Sequence, residues 1–422
     1  MSELQKKTLR ECLSLIIDNR GKTPPKIESG LGYKILSANH VKFDGLVKVD
    51  SIECGSAETY SKWMTEELQR GDILLTSEAP AGQVMLWDSD EKVIVAQRLF
   101  ALRTNPKLAD SKFIKYYLQS NFGQKEITRN TSGSTVFGIS ARMFDQINVH
   151  LPECTSTQSD IGNILYSLDR KIELNNRINA ELEAMAKTLY DYWFVQFDFP
   201  DANGNPYKSS GGKMVYNSTL KREIPEGWET DNVLKVAHIL GGGTPTKTKK
   251  EYWNGAIPFF TPTDSDGNIF SIETEDYITA EGLKKSSTRL FEPYTVFITA
   301  RGSVGRLALN AVPMAMNQSC YALRAKDGIS YTFLFFLTKE LIHHLEVKAS
   351  GSVFNSIVSN DIEYTNLALP SDSALMDKYA TIVEPIFEKI ESTTKENKKL
   401  SSLRDWLLPM LMNGQVTVGE AS

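Results

Sequence analysis

The chain has 422 residues, 41% of them hydrophobic, which exceeds what one hydrophobic core usually supports, so two domains are the starting expectation. Its 47 basic and 52 acidic side chains leave a formal charge of -5, which argues against a chain that grips a polyanion alone over its whole surface. No apolar run approaches the ~20 residues of a membrane span, and Met1 to Arg10 lacks the apolar stretch of a secretory signal, so a cytoplasmic protein with no membrane contact is expected.

In chain order, Lys7 to Leu151 reads as a mixed α/β unit with more strand than helix. It carries a Gly21-Lys22-Thr23-Pro24 turn and β-rich runs at Asp72 to Thr76 and Val93 to Ala96. An apolar stripe at Lys112 to Ser120 predicts a helix. Next, steps of four and three from Ile161 pick out Leu165, Leu168, Ile172, Asn175, Asn179, Leu182, Ala186, Leu189 and Trp193, a sustained a/d seam on a long helix. Phe197 to Lys221, rich in Gly, Pro, Asn and Ser, reads as a linker.

The second half repeats the first. Gly242-Gly243-Thr244-Pro245 answers the first turn at a separation of 221, and Tyr294 to Thr299 followed by Gly305 answers Gly71 to Thr76 followed by Gly82 at 223. Gln318 with Ala322-Leu323-Arg324 answers Gln97 with Ala101-Leu102-Arg103, again at 221. From there the separation holds at 218, through Ser132-Gly133-Ser134 and Ser350-Gly351-Ser352, Leu151-Pro152 and Leu369-Pro370, and Lys171-Ile172-Glu173 and Lys389-Ile390-Glu391. Tyr331 to Leu345 predicts a helix. Tyr379, Val383, Ile386, Ile390, Thr393, Asn397, Leu400, Arg404, Leu407 and Leu411 form a second seam, apolar at its ends and polar in its middle like the first.

The fold expected is therefore α/β (α+β), a tandem duplication of a globular part followed by a long helix. A helix of ~34 residues is ~50 Å long and cannot bury its seam against itself. If the two helices pair antiparallel, Asn175 or Asn179 meets Asn397 or Thr393 near the centre, where buried amides fix the register. The rival arrangement is a homodimer. The boundaries read from the pattern are 1–151 and 228–369 for the globular units, 152–196 and 370–422 for the helical regions, and 197–227 for the linker.

Catalytic signatures are missing from the sequence. Asn205-Pro206-Tyr207 lacks a proline of the motif that holds a flipped adenine. Gly241 to Lys247 is no phosphate loop, because Pro245 removes an amide donor where phosphate would sit. Cys12, Cys54, Cys154 and Cys320 form no CxxC pair, and adjacent His343 and His344 lack metal-ligand spacing, so no metal site is expected. The repeated loops instead carry side chains suited to base edges: Asn39, His40, Gln97, Arg98, Arg301, Asn317 and Gln318. Lys22, Lys247, Lys249 and Lys250 suit phosphates, and the paired Ser-Gly-Ser segments add Ser134 and Ser352.

The duplicated turns, the Thr76 and Thr299 loops, Leu189 to Phe194 running into Phe197-Asp198-Phe199-Pro200, Ile224 to Trp228, and Leu407 to Gly414 recur in an order that resembles the specificity subunits of type I restriction-modification systems, over essentially the whole chain. That resemblance implies two target-recognition domains, each reading one half of a bipartite site in double-stranded DNA, held by an antiparallel coiled coil. It also implies a non-catalytic subunit that directs methylation and restriction by others. Two modification subunits would dock on the helices with S-adenosylmethionine, and restriction subunits would bring ATP and Mg. None of these cofactors is expected on the chain itself. Leu165, Leu168, Ile172, Asn175, Asn179, Leu182, Leu189, Ile386, Ile390, Asn397, Leu400 and Leu407 are the coiled-coil and partner-docking candidates. Two alternatives stand beside it, the detached recognition half of a fused restriction-methylation enzyme and a coiled-coil scaffold that binds no DNA. One departure is that Glu78-Ala79-Pro80 in the first unit stands where the second has Arg301-Gly302-Ser303.

If the helices set the separation of the two readers, one heptad added to both, near Asn179 and Asn397, lengthens each by ~10 Å. At ~3.4 Å per base pair the unread spacer should then grow by up to ~3 base pairs while the half-sites stay the same. Mapping the methylated sites of the variant checks this, and an unchanged spacer refutes it.

Overall fold

The computed structural model describes residues 4–19, 23–28, 31–131, 138–349 and 356–416. Its compact units do not follow the sequence halves. One comprises Met1–Glu173 with Lys398–Ser422, and the other Leu174–Asn397. Each therefore contains a globular part plus segments of both long helices, Thr155–Tyr190 and Ser373–Met412.

In the first unit a four-stranded sheet runs in the order Leu13–Asp18, Leu99–Thr104, Ile73–Thr76, Val84–Leu86. The second unit repeats it as Ala237–Gly241, Cys320–Ala325, Val296–Thr299, Leu307–Asn310, with Phe270–Ser271 added in parallel at the edge. Even the register is shared, Leu99 lying opposite Thr76 as Cys320 lies opposite Thr299. A smaller sheet sets Tyr33–Leu36 between antiparallel Cys54–Gly55 and parallel Ile94–Val95. Trp253–Phe260 stands likewise between Asp276–Ile278 and Ala315–Met316. Leu4–Thr8 pairs with Asn148–Pro152, just as Glu229–Asp231 pairs with Leu367–Leu369.

The helix expected at Lys112 to Ser120 is Ser111–Gln119, and that expected at Tyr331 to Leu345 is Tyr331–Lys348. The pattern did not anticipate Asn121–Arg129. There Ser120 ends one helix by donating its hydroxyl to the Tyr117 carbonyl (2.7 Å) and starts the next by accepting from the Gly123 amide (3.3 Å).

Both seams lie where their spacing puts them, with no seam residue exposed. In the second unit the helices are antiparallel. Tyr379 Oη donates to the Ala186 carbonyl (3.1 Å), Thr393 to the side-chain oxygen of Asn179, and Asn175 Nδ2 to Asn397 Oδ1 (2.8 Å). In the first unit Ile161 and Leu165 share a core with Leu408, Leu411 and Met412, again antiparallel. Each seam thus meets its partner helix inside the chain. None of the seam residues offered as coiled-coil and partner-docking positions is exposed, and the large apolar side chains these helices leave exposed are others: Leu174, Met185, Ile382, Leu403 and Trp406.

Residues 197–227 are not the open linker that their composition suggested. Met214–Asn217 and Arg222–Pro225 form a hairpin, and the Asp198 carboxylate accepts from both the amide and the hydroxyl of Ser209 (2.7 Å each). Phe197 is buried with Ile224 and Ala368, and Phe199 stacks on Tyr207 and Trp228 at 4.7 and 5.5 Å. The Gly, Pro and Asn residues serve as turns here, Gly204 and Gly211 both at positive φ. The aromatic side chains between them supply the core.

A charged cluster ties the first unit together. Asp169 accepts from Lys115 (3.0 Å), Tyr116 (2.5 Å) and Arg404 (2.9 Å). Burial alone would raise the Asp169 pKa, but Lys115, Tyr116 and Arg404 outweigh it and hold the carboxyl below the ordinary range. A carboxyl lowered in the folded state stabilises fully above its unfolded pKa, ~4, and loses that contribution as pH falls through the folded value. Asp169→Asn strips the charge partner from Lys115, which is only 5% exposed. It should cost ~3–5 kcal/mol at pH 7 and flatten this share of the acid limb. Urea unfolding at pH 7 and below pH 4 checks both, and an unchanged midpoint at pH 7 would sink the assignment.

Candidate nucleic-acid interface

The loops that follow the central strands are built by one hydrogen-bond pattern, used twice. Thr76 Oγ1 donates to the Pro80 carbonyl (2.7 Å) and accepts from the Gln83 amide (2.9 Å). Thr299 Oγ1 does the same with the Ser303 carbonyl (2.6 Å) and the Arg306 amide (2.9 Å). The Gly82 and Gly305 amides close the loops onto the Thr76 and Thr299 carbonyls at 2.9 Å each. Both threonines are fully buried, so their hydroxyls have no water to fall back on.

The three sequence separations meet at the next residue. Ser77 N–H donates to the Arg98 carbonyl and Ala300 N–H to the Ser319 carbonyl, both at 2.9 Å. In turn Ile139 N–H donates to Ser77 (2.9 Å) and Ile357 N–H to Ala300 (3.0 Å). One junction of three segments is present in each unit.

Around the first junction the structure gathers four of the six first-unit residues proposed from sequence. Asn39, His40, Gln97 and Arg98 line one concavity of about 260 Å³, together with Thr23 and Lys26. His40 sits at the end of the short Ala38–His40 turn, where its Nδ1 accepts from the Ser37 amide (3.1 Å). Burial, then Lys48, holds its pKa below the ordinary histidine value, so the ring is neutral at pH 7 with Nε2 as its donor. Arg98 has a positive φ of 65° and is paired through Nε with Glu78 Oε2 at 3.3 Å.

Around the second junction, Gly242 and Gly243 are required by close approach. A Cβ would lie 2.2 Å from the Asn317 carbonyl at Gly242 and 2.0 Å from Ser287 Oγ at Gly243. That approach brings the Thr244 hydroxyl onto the Gln318 side-chain oxygen. Arg301 is exposed, and its amide reaches the Ser319 carbonyl (3.1 Å). Asn317 uses its side-chain oxygen to accept the Ser319 amide (3.0 Å), a turn-forming role. Lys247 and Lys250 are exposed. Lys249 Nζ rests on Tyr252 Oη at 3.2 Å. Lys22, Ser134 and Ser352 lie outside the described residues.

Thr23, Thr244 and Glu78 belong to these sites and were not among the sequence candidates. Glu78 was signalled only by its alignment with Arg301. Among the described residues no cluster of three or more His, Cys, Asp or Glu is placed to hold a metal ion, and no helix is long and apolar enough to cross a membrane.

A family model described as the type I restriction modification DNA specificity domain matches residues 1–184 and 225–402. The chain is 25% identical over 403 residues to the type I restriction enzyme HindI specificity subunit of Haemophilus influenzae, covering 83% of this chain and 87% of that one. To the MjaIX specificity subunit of Methanocaldococcus jannaschii it is 27% identical over 360 residues, covering 83% and 79%. Among solved structures, a type I restriction-modification S subunit from M. genitalium has the same fold, with TM-score 0.59 and 16% identity over 97% of this chain and 96% of that one.

Thr299→Val keeps the volume but removes the buried hydroxyl that joins the Ser303 carbonyl to the Arg306 amide. The expected cost is ~0.5–1.5 kcal/mol. Thermal melting checks it, and a melting temperature equal to wild type would show that the loop does not depend on this side chain.

Proposed function

The chain belongs to the type I restriction-modification DNA specificity family, and we propose that it reads a bipartite DNA target, one half-site per unit, through the loops around its two junctions. The observation that carries this is the repeated junction itself. Its backbone network is the same in both units, while side chains it presents differ: Glu78 and Arg98 in one, Arg301 and Ser319 in the other. A fixed frame with exchangeable side chains is what two readers of two different sequences require.

The reader carries out no chemistry and works through other subunits in the cytoplasm. Two modification subunits bring S-adenosylmethionine, and restriction subunits bring ATP and Mg. Met185 and Leu403, which are 218 residues apart and 60% and 43% exposed on the long helices, give each unit an equivalent apolar position for a modification subunit.

With the chain assembled on its modification subunit, mapping methylated adenines across a random DNA library should return one bipartite motif. Gln97→Ala should relax one half and Gln318→Ala the other, each by ~1–3 kcal/mol. Equal loss in both halves would count against separate readers. Lys247→Ala should instead weaken binding to all sequences and flatten its salt dependence.

A further inference from the structure

The two junctions share a backbone but rearrange their charges. The Thr76 and Thr299 loops make matching hydrogen bonds, and Ser77 and Ala300 contact the same point of the facing turn. In that frame Glu78 stands where Arg301 stands, and Arg98 stands where Ser319 stands. The first unit therefore has a carboxylate on the Thr loop and a guanidinium on the facing turn. The second has a guanidinium on the Thr loop and a hydroxyl on the facing turn. Apart from Arg306, whose guanidinium donates to the Ser265 carbonyl (2.8 Å), each junction holds one guanidinium, supplied from opposite sides.

The local geometry supports treating the two as equivalent. Glu78 Oε2 lies 3.3 Å from Arg98 Nε, so the carboxylate occupies one edge of the guanidinium and leaves its outer nitrogens for another acceptor. The pair is half-exposed, Arg98 at 56% and Glu78 at 37%. Arg98 is also held at φ 65°, a region that costs a non-glycine residue free energy and persists where the surroundings impose it. Arg301 has no ion-pair partner among the described residues and is followed by Gly302 at φ 65°, where even an added Cβ would meet nothing closer than 3.8 Å. Arg301 itself is exposed.

Resting on the functional reading above, we infer that Arg98 and Arg301 are the corresponding specificity residues of the two readers, each donating to the N7 and O6 acceptors of a guanine in its half-site, and that Glu78 is a positioning residue that orients Arg98. The linear repeat conceals this, because it aligns Arg301 with Glu78. The competing chemistry is that Glu78 itself accepts from the amino group of a cytosine.

The test uses the full chain assembled with its modification subunit and a random DNA library read out by methylation. Arg98→Ser should lose guanine preference at one position of one half-site by on the order of 10- to 100-fold, with the other half unchanged. Glu78→Gln should weaken preference at that same position. The double variant Glu78→Arg, Arg98→Ser copies the arrangement of the second unit and should restore guanine there. The reciprocal exchange, Arg301→Glu with Ser319→Arg, should retain a guanine that Arg301→Ser loses, and it decides the matter if the first double variant fails to fold. An unchanged motif in Arg98→Ser overturns the inference. So does a folded double variant that leaves guanine unrestored, or a Glu78→Gln effect at a different base, which would make Glu78 a direct reader. A wild-type complex with no defined motif would overturn the functional reading itself.

Discussion

Asn175 is 1% exposed, and its amide is satisfied only when the two long helices are in one register. It donates to Asn397 Oδ1 and to Glu396 Oε2, both at 2.8 Å, while Asn179 is engaged by Thr393 and Thr394 one turn away. Sliding one helix by a turn would set either Asn179 against Ile390 or Asn175 against Leu400, at ~1–3 kcal/mol for the amide left unpaired. An all-apolar seam would tolerate such sliding. The polar middle is what turns a generic helix pair into one with a single alignment.

On either side of that middle, positions 218 residues apart are filled with opposite chemistry. Asp169 and Arg404 form an ion pair in the first unit. Their counterparts in the second are Phe387 and Ala186, both fully buried in an aromatic core with Tyr190, Phe336 and Tyr379. The aromatic version gains from burial and is indifferent to small shifts. The charged version demands its partners, since Lys115 and Arg404 without Asp169 would be poorly solvated cations. Duplication supplied the frame, and the two copies then stabilised the same layer by different means.

The parts of this molecule that were legible in its sequence are those governed by periodicity or by identity between copies. The seams follow from steps of three and four. The meeting of Asn175 with Asn397 follows from two polar middles in antiparallel helices, and the Thr76 and Thr299 loops follow from the repeat. What escaped depends on contacts that no local pattern encodes. Phe197, Phe199, Tyr207 and Trp228 are scattered among turn residues, so composition suggested a linker where three-dimensional packing makes a small core. The grouping of Lys398–Ser422 with the first globular part follows from antiparallel pairing but is invisible along the chain. Asn39 and Gln97 are 58 positions apart and reach one concavity only because Tyr33–Leu36 pairs in parallel with Ile94–Val95. Glu78 was overlooked because an acidic residue is a poor candidate for a DNA surface until the arginine beside it is seen.

The charge distribution places a last constraint on how such a reader works. Many of its exposed cations are already matched by carboxylates: Lys34 by Glu91, Lys92 by Glu67, Lys213 by Glu226, Arg70 by Asp88 and Asp90. Affinity for duplex DNA grows with the number of phosphates neutralised, each adding a nearly constant increment to the salt dependence. A chain of net charge -5 with so many internal pairs contributes few such increments. On the proposed reading, phosphate attraction by this chain supplies little of the free energy of DNA binding, and the reader serves to discriminate between sequences rather than to attract them. That division relaxes the demand for a basic surface on the loops themselves. A carboxylate such as Glu78 becomes tolerable at the interface when its effect is to aim one guanidinium, because accuracy of orientation matters there more than gross attraction.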